Sequence, residues 1–119
     1  MNNLFSLKNK VIVITGAAGL LGRQHADIIA KAEGIPILLD INSKSLDVLV
    51  NELNSSFRIE CSGYAVDITN ESEVKNNCQL IIKKYGKIDG LINNAANNPK
   101  MEKSNIKNFS RLENFSILN

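Results

Sequence analysis

An α/β fold built on a doubly wound parallel sheet is what this 119-residue chain predicts, and three observations carry the prediction. Short apolar runs alternate with stretches of helical periodicity, giving the order βαβαβαβ. The runs at 11 to 15 and 35 to 40 are almost unbroken, as in strands whose two faces are both covered by helices. The first run breaks on Gly16, and Gly19 and Gly22 follow at three-residue intervals. Right-handed crossovers then set the spatial strand order as 3-2-1-4.

Val11 to Thr15 is the first strand. The helix after it is expected over 19 to 33, with Leu21, Ile28 and Ala32 facing inward and Gly34 as its stop. Ile35 to Asp40 is the second strand, with Pro36 near its start, where proline is tolerated. Leu46, Leu49, Val50 and Leu53 recur at helical spacing behind a cap at Asn42 or Ser43. The third strand spans about Phe57 to Asp67, its regular part near 63 to 66. Asn70 with Glu73 fits a capping box that opens a helix lined by Val74, Cys78, Ile81 and Ile82. Lys83, Lys84 and Lys87 cluster where that helix ends, which suits its dipole. Ile88 to Asn93 is the fourth strand.

Residues 99 to 119 are rich in Asn, Lys and Ser and hold no sustained apolar face, so they are expected as loop leading into a further half. The expected division is 1-98 as a nucleotide-binding half-domain and 99-119 as the start of a carboxy-terminal half. On this expectation the sheet is truncated after the fourth strand, which is left as an edge.

Composition narrows the function. Fourteen basic and twelve acidic side chains leave a formal charge of +2, and the lysines are scattered, so a nucleic-acid partner is not expected. No apolar run reaches the eighteen or so residues of a membrane span, and the lysine-led stretch from 8 to 22 lacks a cleavage pattern. A cytoplasmic location without membrane contact is expected. Cys61 and Cys78 lack metal-ligand spacing, and with His25 as the only histidine there is too little material for a zinc site or a thiol nucleophile with its base. Both thiols are expected free and buried, and His25 on the helix surface or just behind a site.

The glycine-rich crossover has a chemical reading. Gly16 can take the dihedrals of a tight turn, Gly19 lacks the Cβ that would hold a phosphate away, and Gly22 lets the helix approach its strand. Unpaired amides of the first helical turn then meet a pyrophosphate with the positive end of the dipole. Asp40 closes the next strand about twenty residues on, the spacing at which a carboxylate reaches the ribose of a bound dinucleotide.

Four motifs in register resemble the short-chain dehydrogenase/reductase family over essentially the whole chain. Thr15-Gly16-Ala17-Ala18-Gly19-Leu20-Leu21-Gly22 looks like its cofactor loop, and Asp40 stands at the end of the second strand. Asp67-Ile68-Thr69 resembles its adenine-contacting Asp-x-Thr, and Asn93-Asn94-Ala95-Ala96 its Asn-Asn-Ala-Gly. The resemblance implies a Rossmann-type fold and contacts to a cofactor from Gly16, Ala18, Gly19, Leu20, Leu21, Gly22, Asp40, Ile41, Asp67, Ile68, Asn94, Ala95 and Ala96. Asp67 would accept from the adenine amino group; as a bare structural residue it would instead cap the following helix. Asn93 would tie the central strands together, while Asn94 to Ala96 would lie beside the cofactor ribose. A carboxylate at Asp40 suits the hydroxyls of NAD and repels the extra phosphate of NADP, so NAD is the implied cofactor. The text around Asn93 is also loosely similar to members linked to bacterial surface-sugar or flagellin-glycan synthesis.

The implied activity is hydride transfer between nicotinamide and a secondary alcohol or ketone, with a sugar among the candidate substrates and a homo-oligomer as the assembly at full length. Family chemistry uses a serine, a tyrosine and a lysine four residues after it. Tyr64 is followed four residues on by Ile68 and Tyr85 by Asp89, so no catalytic residue is assigned and this chain alone is expected to be inactive. Two alternatives stand beside this one: a non-catalytic nucleotide-binding or interaction module, and a sugar-nucleotide epimerase or dehydratase of the extended branch, whose Gly-x-x-Gly-x-x-Gly spacing the loop shares.

Overall fold

The computed structural model describes residues 6–95, and within them seven elements alternate. They are β1 (Val11–Thr15), α1 (Leu20–Lys31), β2 (Ile35–Asp40), α2 (Ser43–Phe57), β3 (Ser62–Ala65), α3 (Glu71–Tyr85) and β4 (Gly90–Asn93). The sheet is parallel in the order β3-β2-β1-β4, with Thr15 level with Leu39 and Asn93, and Asp40 level with Ala65. The predicted doubly wound topology is therefore the one found. Ala96 and the segment 99-119 lie outside the described residues.

Alternation along β1 and β2 divides the core in two. Val11, Val13, Ile37 and Leu39 pack with Val74, Cys78 and Ile81 of α3 on one face. Ile14 and Leu38 pack with Ala26 and Ile29 of α1 and Leu46, Leu49 and Leu53 of α2 on the other. Both central strands are buried, whereas β4 has an intermediate exposure throughout and, among the described residues, a single neighbour in β1. Pro36 is accommodated because the ladder from β2 to β3 begins one residue later, at Ile37.

The helix ends follow local chemistry. The Asn42 side chain accepts from Ser45 N–H, and the Asn70 side chain from Glu73 N–H. The capping box at α3 is only half made, since the Glu73 carboxylate accepts from Asp67 N–H instead of closing on Asn70. Asp67 is not the cap of α3.

Three expectations are corrected. The inward face of α1 is Gly22, Ala26, Ile29 and Ala30, whereas Leu21 and Ile28 are exposed. Small residues win this face because a Cβ on Gly22 would stand 2.3 Å from Gly16 O, so the helix sits too close to the crossover for a leucine stripe. The left-handed residue that ends α1 is Glu33, at φ 72°, with Gly34 N–H donating back to Ile29 O. Phe57 closes α2 instead of opening β3, which is confined to Ser62–Ala65. Both cysteines are free and buried as expected, and His25 is half-buried on α1.

Candidate cofactor site

Four strands end at one edge of the sheet, and the sequence motifs gather there. At the crossover from β1 to α1, Gly16 has φ +62°, and a Cβ on it would meet Ala95 Cα at 3.0 Å, so both the turn and the close pass of the chain after β4 demand glycine. Gly19 differs. Its φ is −76°, and a Cβ there would meet nothing nearer than Gly16 O at 3.4 Å. The protein's own packing leaves room for a side chain at Gly19.

Gly19 is the N-cap of α1, and it supplies no side-chain acceptor; the first turn of the helix holds no acidic residue either. The leading amides of Leu20, Leu21 and Gly22 therefore face the sheet edge with the positive end of the helix dipole and without a cap. The geometry is that of an anion site, and the donor set fits the diphosphate of a dinucleotide. Leu20 is 75% exposed and Leu21 50%, so their side chains stand clear of the core beside these amides.

Asp40 ends β2 next to the crossover. Its Oδ2 accepts from Ala18 N–H at 3.0 Å and its Oδ1 from Asn42 N–H at 3.1 Å. Ile41 beside it is 77% exposed, an apolar surface at the mouth. After β3, Val66 N–H donates to Asp40 O, which brings the next loop alongside. There the Asp67 Oδ1 accepts from both the amide (2.9 Å) and the hydroxyl (2.6 Å) of Thr69, and these bonds hold its carboxyl below the ordinary carboxylate value. Ile68 packs its side chain against the α3 face of the core, leaving its main chain as the part that can face a ligand.

The far wall is organised by a residue that the motif reading left without a role. Thr15 is fully buried, and its Oγ1 donates to Asn93 Oδ1 at 3.0 Å while accepting from Asn94 N–H at 3.0 Å and Ala95 N–H at 3.1 Å. Asn94 Nδ2 adds a bond to Gly16 O at 3.2 Å. The ends of β1 and β4 are thereby stitched into one unit. A polar residue closing a strand buried on both faces was the available signal.

The structure thus brings Gly16, Ala18, Gly19, Leu20, Leu21, Gly22, Asp40, Ile41, Asp67, Ile68, Asn94 and Ala95 to one edge. Two other features lie away from it. Lys84 and Tyr85 both bond to Ser62, whose Oγ is 2.6 Å from Tyr85 Oη and 2.8 Å from Lys84 Nζ, but Ser62 opens β3 and so lies at the opposite edge of the sheet. Tyr85 Oη also donates to Glu60 O, and burial pushes its hydroxyl above the ordinary tyrosine value. A groove of about 480 Å³ between α1 and α2 includes Leu20, Ile28, Leu49 and Phe57. Its arginine, Arg23, is paired with Glu52 at 3.0 Å, so it offers no free cation to a phosphate. No group of three or more metal-ligating side chains occurs among the described residues, and no helix described is long and apolar enough to cross a membrane.

A glycine-led crossover, an acidic end to the second strand and the strand order 3-2-1-4 define a doubly wound, Rossmann-type class of α/β protein. The family model described as short chain dehydrogenase matches residues 10–118, and the chain belongs to that family. Among curated relatives, a post-translational flagellin modification protein A of Campylobacter coli is 36% identical over 89 residues, covering 75% of this chain and 35% of the relative. A 3-oxoacyl-[acyl-carrier-protein] reductase of Thermotoga maritima is 34% identical, covering 75% of this chain and 36% of its own length. A solved NAD-bound structure from Haemophilus influenza, provisionally assigned as a D-mannonate oxidoreductase, is 33% identical with a TM-score of 0.74, covering 82% of this chain and 35% of that one. An NADPH-dependent 3-quinuclidinone reductase from Rhodotorula rubra is 30% identical with a TM-score of 0.69, covering 75% and 34%. The chain spans about a third of the length of these relatives.

Proposed function

We propose that this chain is the cofactor-binding portion of an NAD-dependent oxidoreductase. The single observation that carries the reading is the bare amide end of α1 set beside the Asp40 carboxylate. A bound dinucleotide would supply a hydride acceptor or donor for a secondary alcohol or ketone, a sugar among the candidates. In this reading the amides of Leu20, Leu21 and Gly22 hold the diphosphate, and Asp40 accepts from the adenosine ribose hydroxyls. Ile41 and Asp67 border the adenine, and Asn94, Ala95 and, outside the described residues, Ala96 face the second ribose.

Relatives of both cofactor types exist, since the Haemophilus structure holds NAD and the Rhodotorula enzyme is NADPH-dependent. Preference for NAD rests on Asp40, whose carboxylate would repel a phosphate on the ribose, with no arginine in the glycine loop or just after Asp40 to partner that phosphate. A charge-assisted bond of about 1.5 to 3 kcal/mol corresponds to about ten- to a hundredfold in affinity. Tyr64 and Tyr85 carry no catalytic role in this proposal, and the chain by itself is taken to bind without turnover. Small-molecule substrate, homo-oligomeric assembly and cytoplasmic location belong to the same proposal for the whole protein.

Calorimetric titration of the chain with NAD, NADP and ADP tests it. NAD and ADP should bind and NADP should bind at least about tenfold more weakly. Asp40→Ala should narrow that gap, and an unchanged preference would remove Asp40 from the role.

A further inference from the structure

The Asp40 carboxylate is already engaged on both oxygens before any ribose arrives. Three consecutive amides of the crossover are each directed to an acceptor. Ala17 N–H donates to Leu39 O at 3.1 Å and Gly19 N–H to Gly16 O at 3.2 Å, both main-chain partners. Ala18 N–H, between them, donates to Asp40 Oδ2. Of the three, only this bond depends on a side chain. Its partner comes from the end of a different strand, and the other oxygen of the same carboxylate is tied to Asn42 N–H, at the cap of α2. Asp40 therefore spans the crossover and the start of α2.

Resting on the nucleotide-binding reading above, we infer that Asp40 is a positioning residue for the diphosphate site as well as a reader of the ribose. It fixes Ala18, and through Ala18 the direction in which Gly19 hands the chain to the bare amides of α1. Each carboxylate oxygen has two acceptor directions, so a backbone amide and a ribose hydroxyl can be served together. Selectivity for an unphosphorylated ribose and grip on the diphosphate are then coupled in one side chain. Replacing Asp40 to admit a ribose phosphate weakens the hold on the part of the cofactor that both dinucleotides share.

The test uses two probes that differ only at the ribose, ADP and 2′,3′-dideoxyadenosine diphosphate, titrated into the wild-type chain, Asp40→Ala and Asp40→Asn. The dideoxy probe has no hydroxyl for Asp40 to read. A carboxylate that only reads the ribose would leave binding of this probe unchanged on removal, or tighten it, since a negative charge near the diphosphate is lost. The positioning role predicts the opposite, a weakening of about five- to tenfold for Asp40→Ala. A second readout needs no ligand. Hydrogen exchange at the Ala18 amide should accelerate by about tenfold or more in Asp40→Ala, while the main-chain-bonded amides of Ala17 and Gly19 hold their rates. Asp40→Asn, isosteric but with one acceptor oxygen in place of two, gives the same two readouts with smaller changes should the alanine variant not fold. Equal or tighter binding of the dideoxy probe, or an unaltered Ala18 exchange rate, overturns the inference while ADP binding by the wild type keeps the nucleotide reading intact. Failure of the wild type to bind either probe overturns the nucleotide reading, and the inference with it.

Discussion

Three helices leave the same edge of one parallel sheet, and their first turns are not alike. One first-turn amide of α2, Ser45 N–H, is served by Asn42 and one of α3, Glu73 N–H, by Asn70, and α3 adds Glu71 and Glu73 at the positive end of its dipole. The first turn of α1 has neither a side-chain acceptor nor an acid. A glycine at the N-cap costs roughly a few tenths of a kcal/mol against Asn or Asp, a small stability given up at α1 alone among the described helices. It is given up where the chain turns on Gly16 and where a Cβ on Gly19 would meet no obstacle. Gly16 and Gly22 answer to the fold, whereas the packing does not demand glycine at Gly19, where the proposed diphosphate would lie.

The contrast breaks most severely at Gly22. Gly22→Ala forces a Cβ to within 2.3 Å of Gly16 O and 2.6 Å of Ala17 Cα, main-chain atoms that cannot move aside cheaply. Denaturant unfolding should show a loss of about 3 kcal/mol, with ADP binding abolished in the same variant. Gly19→Asp sharpens the contrast by giving α1 the kind of cap its neighbours have. Stability should stay level or rise by a few tenths of a kcal/mol, while calorimetry should find ADP bound at least about a hundredfold more weakly. Opposite signs for stability and affinity are the mark of an amide end reserved for an anion.

The fold was legible in the chain because its main signals are local: apolar runs for strands, helical spacing between them, and a glycine that only a tight turn explains. What escaped was set by close packing or long-range bonding. Leu21 and Ile28 look like a core stripe, yet the approach of Gly22 to the crossover hands that face to Ala26 and Ala30, and the larger residues turn outward. Glu33 in a left-handed conformation carries no sequence signal against the adjacent Gly34. At the candidate site, glycine spacing and Asp40 pointed to the edge of the sheet at which the motif residues gather. The tie expected of Asn93 between the central strands is its bond with Thr15 Oγ1, but the further bonds of that hydroxyl to Asn94 and Ala95 and the hold of Asp40 on Ala18 could not be read, because each joins residues far apart in the chain.

Smaller effects should follow from the capped helices and the distant edge. Asn70→Ala removes the acceptor for Glu73 N–H and should cost about 1 kcal/mol in thermal or urea unfolding, with ADP affinity unchanged. At the opposite edge, Asp89 Oδ2 accepts from Val11 N–H at 2.8 Å and pairs with Lys87. Partial burial pushes the Asp89 carboxyl up, but the Val11 amide, Lys87 and Lys10 together outweigh it and hold it below its ordinary value of 3.8. A carboxyl depressed on folding contributes stability that is fully present above the unfolded-state pKa, about 3.9, and lost as pH falls through the folded value. Asp89→Asn should therefore flatten the decline of stability below about pH 4 and leave ADP binding at neutral pH unmoved.

Amide resonances followed during an ADP titration test the reserved helix end most directly. Leu20, Leu21 and Gly22 should shift together and saturably, while the amides of Ser45 in α2 and Glu73 in α3, held by Asn42 and Asn70, should shift far less. Saturable binding with the α1 amides unmoved, or a folded chain in which no amide responds, would contradict it.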